Sequence, residues 1–192
     1  EPTALDELFE NWRENSDCPV KVPVENESLK FLTENKAYNI PSVFIPSAMH
    51  NKGNFIISLG SFCKWLGQQA ENLGVEIYPG FAASELIIEN GILNGIITGD
   101  QGLDKDGQQG QNFQPGIEIH SKFTLFAEGC RGHLGKKLMD QFNLRDNIQH
   151  QTYGIGLKEL WEIKEKNSTP GEVFHSIGWP LDNETYGGSF LY

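Results

Sequence analysis

Two glycine-bearing runs are the places where this sequence could meet a ligand. The first is Glu128-Gly129-Cys130-Arg131-Gly132. Phe123, Leu125 and Phe126-Ala127 precede it and read as the end of a buried strand. Leu134, Leu138 and Phe142 follow at helical spacing, so a helix is predicted over 133–142. Strand, glycine turn and helix together bring backbone N–H groups and a helix N-terminus up to a phosphate or ribose. Glycine matters there because a Cβ would hold the ligand off. A plain βα connection uses the same turn, and one glycine pair does not decide between the two. The second run is Tyr186-Gly187-Gly188. Two glycines inside a strand mark a bulge or the close approach of another group. Backbone N–H and C=O groups exposed there could bond a flat carbonyl ligand lying against Trp179, Tyr186, Phe190 and Tyr192, which is the geometry of a quinone site. A bulge without a ligand fits the same residues.

Other chemistry is sparse. The sequence has no Gly-x-Gly-x-x-Gly fingerprint, no Ser-His-Asp elbow and no His-Glu-x-x-His. His50, His120, His133, His150 and His175 stand apart in sequence and read as surface or satisfied histidines. Glu159 and Glu162 flank Trp161 and read as a solvated face. Cys18, Cys63 and Cys130 form no C-x-x-C pair and no disulfide framework; they read as free thiols of a reducing compartment. The formal net charge of −11 repels phosphate backbones, so a nucleic-acid partner is not expected. No apolar run is long enough for a membrane span.

The elements that position these runs follow from periodicity. Thr3 to Trp12 reads as a helix with Leu5, Leu8, Phe9 and Trp12 on one face and Thr3 as its cap. Residues 13–30 read as loop. Residues 31–38 have a mixed pattern and read as a short strand. Ile40 to Met49 is apolar but broken by Pro41 and Pro46, and reads as an edge strand or an apolar loop that packs or touches a membrane surface. Asn54–Leu59 is a strand. A helix then starts near Gly60-Ser61, buries Phe62, Trp65, Leu66, Ala70 and Leu73, and ends at Gly74. Val75–Tyr78 is the next strand, so a strand–helix–strand crossover with parallel pairing is predicted. Asn90-Gly91 sits between two alternating apolar runs, a hairpin signal. Residues 99–115 read as a mobile loop, and 117–126 as a returning strand. Residues 152–161, 173–179 and 185–192 read as strands of a mostly antiparallel region entered near residue 150. Both ends look cut: the chain opens on Glu1-Pro2-Thr3 without Met and closes on a strand, so an internal piece of a longer protein is expected.

Several runs resemble one family. Gln151-Thr-Tyr-Gly-Ile-Gly-Leu-Lys-Glu-Leu-Trp161, Gly178-Trp-Pro-Leu-Asp182 and Thr185-Tyr-Gly-Gly-Ser-Phe-Leu-Tyr192 are similar to stretches of the electron-transfer flavoprotein:ubiquinone oxidoreductases. So are Phe126–Cys130 and Gln69–Gly80, and the likeness covers essentially the whole chain. That family resembles the glutathione-reductase-type flavoproteins. The resemblance implies α/β with α+β architecture: a partial FAD-binding parallel sheet with an antiparallel meander, then part of a mostly antiparallel quinone domain. It implies residues 1–52 as a connecting segment of the quinone-binding domain, 53–150 as part of the FAD-binding domain, and 151–192 as the start of the quinone-binding domain.

The implied activity passes electrons from reduced electron-transfer flavoprotein to ubiquinone through FAD and one [4Fe–4S] cluster, at a peripheral membrane surface. The implied location is the inner membrane, on its mitochondrial matrix face or bacterial cytoplasmic face. Ser58, Ala82, Ala83, Glu128 and Gly129 match FAD-contacting positions, although Ser58 stands where many relatives carry arginine. Tyr186, Gly187 and Gly188 match the quinone-binding run. The three cysteines match no cluster ligand, and this piece alone is expected to be inactive. Two other readings stay open: a flavin-dependent reductase or hydroxylase of the same superfamily acting on a lipid or aromatic substrate, and a non-catalytic α+β binding domain.

Overall fold

The computed structural model describes residues 2–192. The chain forms two compact units, one holding residues up to Ile77 together with Glu159–Tyr192, the other Tyr78–Lys158.

The first unit begins with α1 (Thr3–Leu8), followed by β1 (Val22–Pro23), β2 (Asn26–Leu32), β3 (Ala37–Asn39), β4 (Phe55–Ile56) and α2 (Leu59–Asn72). Its core is aromatic. Trp12, Trp65, Leu5, Cys18 and Val20 are buried together, with Phe9, Phe55, Phe62 and Leu66 against them. Phe9 meets Trp65 at 5.0 Å between ring centroids, and Trp12 meets Phe55 edge-on at 5.4 Å. The Trp12 indole N–H is buried with its ring, so it needs an acceptor. Asp6 provides one at 2.7 Å and also pairs with Arg13. The expected Thr3 cap does not form: Pro2 is the N-cap residue and makes no side-chain bond to the helix. On α2 the N-cap is Ser58 and Ser61 lies in the first turn; the Ser58 hydroxyl oxygen accepts the Ser61 N–H at 3.4 Å.

The second unit holds a three-stranded antiparallel sheet of β5 (Ala83–Glu89), β6 (Ile92–Thr98) and β9 (Glu118–His120), in the order β5-β6-β9. Asn90 and Gly91 both take positive φ (51° and 77°), the requirement of the tight turn the sequence implies. Residues 99–115, read as a mobile loop, instead form the ribbon β7 (Gln101–Leu103) and β8 (Gln109–Gln114). The Asp104 carboxylate fixes its turn by accepting the N–H groups of Asp106 (2.9 Å) and Gln108 (2.8 Å). Helix α3 (His133–Gln141) lies against β5, where the Lys137 ammonium donates to the Ser84 carbonyl at 3.2 Å.

Two strands of the first unit come from the far end of the chain: β10 (Glu172–Gly178) and β11 (Ser189–Leu191). They complete a four-stranded sheet ordered β11-β10-β2-β3. β10 runs parallel to β2 over seven paired positions, from Glu172 beside Asn26 to Gly178 beside Leu32. β3 and β11 pair antiparallel on either side.

The fold is therefore mixed α+β and mostly antiparallel. Several local expectations need correction. The single parallel pair joins β2 and β10, not strands flanking α2, and β4 pairs antiparallel with β1. Residues 75–78, 123–126 and 152–161 carry strand-like alternation but form no strand. Phe123 and Leu125, read as buried, are 86% and 91% exposed. A strand exists only where a neighbouring strand takes its N–H and C=O groups in a ladder, and among the described residues these runs join no ladder. Conversely, β1 and the first five residues of β2 arise in a stretch read as loop, and only Phe31 and Leu32 fall in the short strand expected over 31–38, because β10 supplies β2 with a partner from about 145 positions away. The Ile40–Met49 segment is neither strand nor open loop; it coils into two short 3-10 turns, Ser42–Phe44 and Ser47–Met49, each started by a proline.

Candidate functional site

In the second unit, Gly129 takes φ +77°, and a Cβ there would meet nothing within 4 Å, so its backbone is open to approach. Glu128 beside it folds back onto α3. Its carboxylate accepts the Leu134 N–H at 3.1 Å and the Gly135 N–H at 2.6 Å. These are first-turn donors with no partner inside the helix. The Leu134 N–H, and then that of Gly135, hold the Glu128 carboxyl below the ordinary carboxylate range. Gly132 makes this possible. A Cβ at 132 would lie 2.5 Å from the Glu128 Cβ and 2.6 Å from its Oε2. The helix N-terminus read from sequence as a ligand contact thus holds a carboxylate of its own chain.

Ala82 and Ala83 lie where β5 begins. The Ala82 carbonyl accepts the Gly99 N–H at 2.8 Å, and Ala83 pairs with Thr98. Ala82, Ala83, Glu128 and Gly129 therefore share the second unit. Ser58 belongs to the first, where its hydroxyl is engaged in capping α2.

In the first unit, the Asp182 carboxylate builds the approach to Tyr186-Gly187-Gly188. It accepts the N–H groups of Glu184 (3.1 Å) and Thr185 (2.8 Å). The Thr185 side chain and then these N–H groups keep its carboxyl below the ordinary range. Tyr186, Gly187 and Gly188 are all exposed. The two glycines differ in surroundings. A Cβ on Gly188 would lie 2.3 Å from the Ser176 carbonyl oxygen, so glycine is what lets this segment close onto β10. A Cβ on Gly187 would meet only the tip of Leu181, at 2.7 Å, a side chain that can turn away. Beyond them Ser176 and Ser189 share a hydroxyl–hydroxyl bond of 2.5 Å, and Phe190 stacks on Tyr192 at 5.6 Å.

The structure also assembles a cluster that sequence reading missed. Glu27 on β2 accepts from His50 Nδ1 at 2.7 Å and from the Asn51 N–H at 2.5 Å. His50, and then the Asn51 N–H, hold the Glu27 carboxyl below its ordinary value. The Asn51 side-chain amide donates to the Met49 carbonyl at 3.0 Å and reaches His175 Nε2 on β10 at 3.4 Å. His50 and His175, isolated in sequence, thus meet one network. The signal needed to see it is the β2–β10 register, which no local pattern carries.

Among the described residues no group of three or more His, Cys, Asp or Glu gathers to hold a metal, and Cys18 is buried while Cys63 and Cys130 are exposed. Among the described residues no helix is long and apolar enough to cross a membrane.

Comparison with known proteins bears on both glycine runs. The family model described as "ETF-QO, ubiquinone-binding" matches residues 153–192, which contain Tyr186-Gly187-Gly188. The electron transfer flavoprotein-ubiquinone oxidoreductase of Pseudomonas aeruginosa is 52% identical over 195 residues, covering all of this chain and 35% of that protein. The mitochondrial protein of the same name from Homo sapiens is 52% identical over 194 residues, covering all of this chain and 31% of the relative. That from Oryza sativa subsp. japonica is 51% identical, covering all of this chain and 33% of the relative. Over its whole length the chain is homologous to part of these oxidoreductases. It spans about a third of the length of the curated relatives it matches.

Proposed function

We propose that this chain is a working part of an electron-transfer flavoprotein–ubiquinone oxidoreductase, and that it contributes the quinone clamp and one side of the flavin pocket. The observation that carries the reading is the match of residues 153–192 to a ubiquinone-binding family, on the segment where Tyr186-Gly187-Gly188 is exposed and Gly187 faces only a movable leucine tip. Main-chain groups at 187–188 hold a quinone oxygen, and Tyr186, Trp179 and Phe190 offer aromatic surface to the ring.

FAD fits the second unit at one point in particular, the open backbone of Gly129, with Ala82 and Ala83 at the start of β5. FAD supplies the redox chemistry when bound. Glu128 shapes its side of the pocket by holding the α3 N-terminus. The runs 75–78 and 123–126, exposed and alternating, become strands of the FAD-binding sheet when paired with strands of a longer polypeptide. Residues 53–150 then belong to the FAD-binding domain, and 1–52 and 151–192 to the quinone-binding domain. The compact unit that joins residues up to Ile77 with Glu159–Tyr192 supports grouping the two ends of the chain. The [4Fe–4S] cluster of such an enzyme takes its ligands from outside these residues.

The protein works at an inner-membrane surface, on the mitochondrial matrix face or the bacterial cytoplasmic face, where its lipid-soluble quinone resides. Val43 and Phe44, 80% and 75% exposed on the first 3-10 turn, are the contact residues. The test is a full-length polypeptide carrying this chain, assayed for ubiquinone reduction by reduced electron-transfer flavoprotein. Electron uptake without quinone reduction in that assay overturns the reading.

A further inference from the structure

Converting a quinone to a quinol adds two electrons and two protons. Main-chain N–H groups can hold a quinone oxygen but release no proton to it, so a titratable side chain or water must supply one. Across β10 and β11, His175 is the Cα partner of Phe190, so both side chains rise from the same face of the sheet. Ile177, the next β10 residue on that face, lies 3.4 Å from where a Gly188 Cβ would sit. Gly188, which directly precedes β11, and His175 therefore lie on one side of one sheet.

The ring of His175 is oriented. Asn51 Nδ2 donates to the Met49 carbonyl, which can only accept, and this fixes the amide with its nitrogen towards His175 Nε2. Nε2 then accepts, and the ring carries its proton on Nδ1. Glu27 sets Asn51 in turn, through the 2.5 Å bond from the Asn51 N–H and the 2.7 Å contact with His50. Of the titratable groups, Glu27 on β2 lines one small cavity with His175, and His50, on the segment after the second 3-10 turn, bonds to that Glu27. Lys30 lies instead over the Phe174 ring, at 4.7 Å.

We propose that His175 gives one of the two protons to a quinone held at Tyr186–Gly188, with Asn51 and Glu27 positioning its ring. This inference rests on the quinone reading above. As two electrons originating in reduced electron-transfer flavoprotein reach the quinone, the His175 Nδ1–H bond breaks and an O–H bond forms on the quinone oxygen. Nε2 leaves its hydrogen bond from Asn51 as it takes a replacement proton from water, so no imidazolate forms. Water supplies the second quinol proton, and exchange with water restores the Nδ1–H tautomer.

The test compares wild type, H175Q and H175G in the full-length holoenzyme, with a short-chain ubiquinone as acceptor. Reduction of the bound flavin by electron-transfer flavoprotein is followed separately, without quinone, and reports that each variant is folded. In H175Q this flavin step is expected at the wild-type rate, quinone reduction is expected to fall roughly 10²-fold, and the pH profile of quinone reduction is expected to flatten. Added imidazole is expected to restore quinone reduction to H175G. Wild-type quinone reduction and pH dependence in H175Q overturn the inference, as does an H175G defect that imidazole leaves untouched. A wild-type enzyme whose flavin is reduced but which passes nothing to ubiquinone overturns the quinone reading itself, a separate result.

Discussion

Single atoms decide what the glycines do. Gly188 lies against the Ser176 carbonyl, with no room for a methyl group. G188A therefore has to push β11 away from β10. We expect it to destabilise the folded protein by about 1–3 kcal/mol, read as a lower urea midpoint, and to weaken quinone binding. Gly187 faces only the Leu181 tip, so G187A should leave the midpoint nearly unchanged while still lowering quinone affinity. Equal loss of stability in both variants would contradict this division. Glu128 offers a second test. Its carboxyl titrates below the unfolded value because the Leu134 and Gly135 N–H groups favour the charged form. Such a group adds stability above its unfolded pKa, near about 4.3, and loses it as pH falls through the lower folded value. E128Q should therefore be less stable than wild type at neutral pH, and the two denaturation midpoints should converge in acid. A gap that stays constant from neutral pH into acid would show that the charge of the cap does not matter.

At the scale of elements, the apolar turns of the first unit make a distinct claim. Prolines 41 and 46 start two 3-10 turns that leave Val43 and Phe44 outward instead of in a core. Inserting one such side chain into a membrane interface contributes about 1.5–3 kcal/mol at full burial. The double substitution V43S/F44S should thus lower partition onto vesicles at least tenfold while leaving thermal unfolding unchanged. Vesicle flotation at physiological salt measures it, and undiminished flotation would remove these residues from the membrane contact. The prolines were legible as interruptions, although they gave no sign of the helical turns. The same contrast runs along the chain. The Asn90-Gly91 hairpin, the α2 stripe from Phe62 to Ala70 and the 133–141 helix were readable because a local period or a two-residue turn specifies them, whereas Leu73, read into that stripe, is 83% exposed past the helix end. The strand at 26–32 was not, because its partner lies at 172–178 and its own composition is polar. The His175–Asn51–Glu27 network was hidden for the same reason: each residue comes from a different stretch. The Glu128-Gly129 turn was read correctly as a junction before a helix, but the reach of its carboxylate onto that helix depends on the missing Cβ at 132.

For the whole molecule, the main question is what the exposed alternating runs need. Residues 75–78 and 123–126 have the composition of buried strands and the exposure of surface, with Phe123 and Leu125 almost fully accessible. Strand-forming runs that join no sheet leave apolar side chains to water, and that carries a cost. The residues of the second unit proposed to face the flavin depend on the same neighbourhood, since Glu128 and Gly129 directly follow 123–127. A pocket whose wall is unformed has to be ordered by the ligand, and that ordering subtracts from affinity. The 192-residue chain alone should therefore bind FAD weakly, although its Gly129 backbone is open. Titration of the purified chain, followed by quenching of flavin fluorescence, should give no saturation in the micromolar range. The full-length polypeptide should retain FAD through gel filtration. Hydrogen exchange links the two results to their cause: amides of 75–78 and 123–126 should exchange fast in the isolated chain and slowly in the full-length protein. Tight FAD binding by the chain alone, with those amides still exchanging fast, would separate the flavin site from the strands and leave Gly129 and Ala82 sufficient for it.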